Sequence, residues 1–124
     1  MILNEGIKWP EDMHPAMWYA RAVVDAVHVE MTGQVATCTS GYRLQTPGGS
    51  SLHPLKRAMD IRTWLFGEPS SDLGRESVRK FAAVLRRRLG DDFDVIVEGK
   101  AAEDAKYVDR PPHVHIEYEG GRYA

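Results

Sequence analysis

The chain is predicted to be α+β, a small and mainly antiparallel sheet with two main helices against one face. Three observations predict it. Residues 15–32 and 71–89 carry apolar side chains at helical spacing. Short β-type runs follow each of these stretches. The resulting order of helix, two strands, helix, two strands suits a sheet covered by helices on one side. A length of 124 residues suits one core, so residues 1–124 are taken as a single domain.

The first helix starts at Pro15, whose fixed φ suits a first turn, and Met17, Ala20, Val24, Val27 and Met31 recur along one face. Gly33 stands where a C-terminal cap is expected. Gln34 to Thr39 is expected as a strand. Ser40 to Leu52, rich in Gly, Ser, Thr and Pro, is expected as a long loop. Ala58 to Thr63 is the second strand. The second helix puts Val78, Phe81, Ala82, Leu85 and Leu89 on one face and ends at Gly90. Phe93 to Val97 and His113 to Glu119 supply the third and fourth strands.

The formal net charge of -2 gives no pointer to nucleic acid or to an acidic membrane surface. No apolar run is long enough to span a bilayer. The N-terminus lacks the basic start, apolar stretch and small-residue cleavage site of a secretory signal, so the chain is expected to be cytoplasmic as synthesised. Cys38 is the one cysteine, which excludes a disulfide within the chain and suits a small buried residue. His14 and His28 lack ligand spacing. Arg79, Lys80 and Arg86 to Arg88 are expected on a solvated helix face, and Trp9, Trp18 and Trp64 in the core or at its rim.

Two clusters could carry chemistry. One runs from Ser51 through His53 to Asp60, the other from Pro111 through His113 and His115 to Glu117. Zinc takes imidazole nitrogen and carboxylate oxygen, and a catalytic site keeps three protein ligands with one open position. His113 and His115 are two apart in a strand and so share a face, while Val114 and Ile116 turn to the core. Asp60 alternates in the same way with Met59 and Ile61. Spacing alone leaves open that the His-x-His pair is simply part of a polar face.

Thr39-Ser40-Gly41-Tyr42-Arg43, Ser51-x-His53-x-x-x-x-Ala58-x-Asp60 and His113-x-His115 resemble, in order, the successive motifs of zinc peptidases of the D-alanyl-D-alanine carboxypeptidase and L-alanyl-D-glutamate endopeptidase type. That family is grouped with lysostaphin-type endopeptidases and the hedgehog signalling domain. The resemblance covers residues 15–119 and implies a single zinc ion on the sheet face, held by His53, Asp60 and His115. It also implies a substrate, the peptidoglycan stem peptide, cut next to a D-amino acid. Two departures stand out. Lys56 replaces the family's usual glycine, and an insertion from Gly99 to Pro112 displaces the expected base.

On that likeness the base is Glu98 or Asp109, which would take a proton from water and return it to the leaving amine. The bland alternative for Glu98 is a solvated strand end. His113 would hydrogen-bond the tetrahedral intermediate or share the acid–base work, and is otherwise a surface or supporting histidine. Arg43 would bind a substrate carboxylate or stabilise the developing oxyanion, and is otherwise a structural ion pair. Ser51 would bind substrate near His53 or turn the loop. The expected function is therefore that of a phage or prophage endolysin acting on the cell wall once another protein releases it. The alternative is a zinc-stabilised binding or phage structural module without turnover.

Overall fold

The computed structural model describes residues 1–44, 52–68, 70–99 and 112–120. Helix α1 spans Pro15–Thr32, with Pro15 in its first turn and Gly33 closing it in the left-handed region at φ 81°. Its N-terminal cap is His14, whose Nδ1 accepts from the Ala16 amide at 3.1 Å. Helix α2 spans Asp72–Leu89. Ser71 caps it, its hydroxyl accepting from the Gly74 amide at 2.9 Å, and Gly90 ends it.

The sheet holds five described strands in the order β1-β2-β3-β5-β4, namely β1 Ile2–Leu3, β2 Thr37–Ser40, β3 Ala58–Arg62, β4 Phe93–Glu98 and β5 His113–Tyr118. β1 and β2 pair in parallel and the other neighbours antiparallel. The α+β class and the mainly antiparallel sheet are as the sequence predicts. Among the described residues no helix is long and apolar enough to cross a membrane.

Both helices lie against one face of this sheet. Met17, Ala20, Val24 and Val27 from α1 and Val78, Phe81, Ala82, Leu85 and Leu89 from α2 form one core with Met59, Ile61, Val95, Val97, Val114 and Ile116. Burial of each large side chain contributes about 1.5–3 kcal/mol, so the strand alternation is strongly held. Cys38 is buried there too, and desolvation pushes its thiol up to about 11. His28 is a core residue, its Nδ1 donating to the Gln34 carbonyl at 2.6 Å and its ring edge-on to Phe66 and Phe81.

The structure corrects several expectations. β2 starts at Thr37 rather than Gln34, because Gln34 is tied back to the end of α1 by His28 and by the Thr32 hydroxyl. β2 also takes in Ser40, which was expected in the loop. Met31 is exposed rather than buried, as are Trp18 and Trp64. β1 is an addition, and so are two 3₁₀ turns, His53–Leu55 and Trp64–Phe66. Arg86 does not lie on a purely solvated face. Its Nε and Nη2 donate to the Val95 carbonyl on edge strand β4, at 3.0 and 2.9 Å.

Candidate metal centre

The face of the sheet turned away from the helices carries the polar residues in register. Across β4, β5 and β3 the rows are Glu98–His113–Arg62, then Ile96–His115–Asp60, then Asp94–Glu117–Ala58. Strand alternation thus places Asp60, His113 and His115 on a common surface and sends Met59, Ile61, Val114 and Ile116 to the core. His53 joins them from the 3₁₀ turn. That turn is closed by Lys56, whose amide donates to the His53 carbonyl at 3.1 Å, and Lys56 sits at φ 61°. This is the left-handed conformation that glycine adopts at least cost. Lys56 therefore holds a conformation that favours glycine, the residue that the sequence resemblance expects at this position. Its ammonium pairs with Asp12 and lies 5.4 Å from the Tyr42 ring centroid.

One ligand-type atom from each of His53, Asp60 and His115 falls within 4.8 Å of the other two, and all three residues are buried. His53 is fully buried, and its Nδ1 donates to the Gly41 carbonyl at 2.6 Å. That bond turns Nε2 toward Asp60 Oδ2, 3.5 Å away. With Nδ1 committed to Gly41, Nε2 is the nitrogen that faces the carboxylate oxygen, and a cation between the two would be held by both. His115 bonds Asp60 Oδ1 through Nδ1 at 2.7 Å and Glu117 Oε1 through Nε2 at 2.8 Å.

The electrostatics follow from these contacts. Burial by itself would raise the Asp60 pKa, but hydrogen bonds from His115 and His53 and their charges outweigh it and hold the carboxyl well below the usual range. Burial would lower the His115 pKa, yet the bonds and charges of Asp60 and Glu117 carry it up to about 9.

The donor set fits a divalent ion of the zinc type. Ligand atoms about 2.0–2.2 Å from a tetrahedral ion stand roughly 3.3 Å apart. The His53–Asp60 separation of 3.5 Å matches this spacing. The His115–Asp60 contact of 2.7 Å is a hydrogen bond, so an ion would replace its proton and push the two groups apart by several tenths of an ångström.

Next to this group lies His113, whose Nε2 is 4.0 Å from Asp60 Oδ1 and 3.9 Å from Glu98 Oε2. Glu98 is the last residue of β4 and is buried, not a solvated strand end. The structure thus brings together His53, Asp60, His115, His113 and Glu98. Arg43 is exposed and makes no hydrogen bond or ion pair with the group. Ser51 and Asp109 lie outside the described residues. Gly41 and Glu117 stand inside the motifs read from the sequence, which gave neither a role. Glu117 was open to the argument used for His113, since it stands two residues beyond His115 on the same face. The Gly41 contact uses a backbone carbonyl, for which no side-chain pattern exists.

No family model matches the chain, and comparison with curated proteins and solved structures gives no significant match.

Proposed function

We propose that the chain is a zinc-dependent peptidase that cuts peptidoglycan stem peptides next to a D-amino acid. The observation that carries this reading is the row of Glu98 and His113 lying beside a buried His-Asp-His group on one sheet face. A structural metal site needs only the ligands, whereas this face adds a buried carboxylate and a second histidine beside them. The motif resemblance supplies the substrate class.

In this reading His53, Asp60 and His115 hold the ion. Zinc bound there supplies a Lewis acid that polarises a peptide carbonyl and acidifies a water. Glu98 accepts the proton of the attacking water and delivers it to the departing amine. His113, between Glu98 and Asp60, donates from Nε2 to the charge that develops on the carbonyl oxygen. Arg43 and Ser51 are assigned to the substrate, Arg43 as a guanidinium for its carboxylate. Asp109 is the rival base.

The test is hydrolysis of purified stem-peptide fragments by the zinc-loaded chain and by Glu98→Gln. The amide keeps the shape of the carboxylate but takes no proton, so metal content should stay at one equivalent while turnover falls about a hundredfold or more. Full activity in Glu98→Gln with none in Asp109→Asn moves the base to Asp109. Absence of hydrolysis in the native chain with zinc still bound leaves a metal-stabilised module without turnover.

A further inference from the structure

We propose that Glu117 is a positioning residue for the metal centre, holding His115 in the orientation and tautomer that present Nδ1 to the ion. The proposal rests on the metal-binding part of the reading above. Its basis is geometric. Glu117 Oε1 lies 2.8 Å from His115 Nε2, on the opposite edge of the ring from Asp60, which lies 2.7 Å from Nδ1. The two nitrogens of an imidazole point away from each other, so a carboxylate bonded to Nε2 cannot reach an ion bound at Nδ1. Glu117 acts only through the ring.

The placement is built by the strand. His115 and Glu117 are two apart in β5 and share the site face, and Ala58 stands opposite Glu117 on β3. Ala58 is fully buried and carries one side-chain carbon, so the residue directly opposite Glu117 on β3 leaves room for its carboxylate and offers no polar side chain of its own. The Glu117 side chain is only 14% exposed, which limits competition from water for the same bond. A carboxylate on the far N–H fixes which nitrogen is free to bind metal and makes that nitrogen a stronger donor. His53 is held by the same logic with a different acceptor, the Gly41 carbonyl on Nδ1. The two imidazoles therefore present opposite nitrogens to one point, each fixed from behind.

The experiment measures zinc affinity by chelator competition for the native chain, Glu117→Ala, Glu117→Gln and, as a control on the same row, Asp94→Ala. Glu117→Ala should bind zinc about tenfold to a hundredfold more weakly. Glu117→Gln still accepts the N–H without the charge and should lose about threefold to tenfold. Asp94→Ala should match the native chain. In nitrogen-detected NMR of the zinc-loaded native chain, His115 should show a protonated Nε2 and a metal-shifted Nδ1, and Glu117→Ala should lose the slowly exchanging Nε2 proton. Should Glu117→Ala not fold, Glu117→Gln and the native spectrum decide. Native affinity in every folded Glu117 variant, or zinc on Nε2, overturns the proposal. A native chain that takes up no zinc overturns the metal reading and this inference together, and so is told apart from failure of the inference alone.

Discussion

His53 and His115 differ in what holds them, a backbone carbonyl for one and a carboxylate for the other, and both converge on Asp60. Three ligands are the usual minimum for a tight catalytic zinc, so His53→Ala or His115→Ala should abolish stoichiometric binding. Metal analysis after exhaustive dialysis checks this, and a full equivalent of zinc in either variant would count against the ligand set. At this scale the sequence was legible where a strand's two-residue period applies. That period put His113, His115 and Asp60 on one face. It says nothing of His53, whose place depends on a turn and on Gly41, a residue distant in sequence.

The 3₁₀ turn His53–Leu55 ends in a lysine held at positive φ. A non-glycine residue there costs about 1–2 kcal/mol. Lys56→Gly relieves this but adds disorder to the unfolded chain and removes the exposed pair with Asp12, so stability should change by less than about 1 kcal/mol. Lys56→Val, branched at Cβ, should lose about 1–2 kcal/mol by denaturant titration. Gly41 is constrained differently, since a Cβ there would meet the Lys8 carbonyl oxygen at 2.5 Å. Gly41→Ala should therefore cost about 1–3 kcal/mol and, by moving the carbonyl behind His53, also weaken zinc binding. Gly33, with nothing within 4 Å of its Cβ position but φ at +81°, is the contrast, and Gly33→Ala should lose stability without touching zinc affinity. Helices α1 and α2 were legible because caps and apolar periodicity agree. β1 was not, because two exposed residues carry no alternation, and β2 was misplaced because side-chain bonds from α1 claim Gln34.

For the whole molecule the buried His115–Asp60 pair sets a pH dependence. The folded pKa of His115, about 9, exceeds its ordinary 6.5, so its contribution is complete below 6.5 and is lost as the pH rises through about 9. The Asp60 pKa is lowered from its ordinary 3.8, so its contribution is present above that value and fades as the pH falls further. In chelator, the denaturation midpoint should thus fall between pH 6.5 and 9.5. Zinc bound as proposed would displace the His115 proton, so the stabilisation it adds should be larger at the alkaline end of that range. A midpoint flat across it in chelator would show that the pair is not ionised in the folded chain. The Arg86 side chain, finally, bears on how copies of the chain meet. Among the described residues β4 is the longer of the two border strands, and a border strand offers carbonyls to any strand that drifts alongside. By occupying the Val95 oxygen from α2, Arg86 spoils that template near its middle. A strand of another chain pairing there would first have to displace the guanidinium from that oxygen.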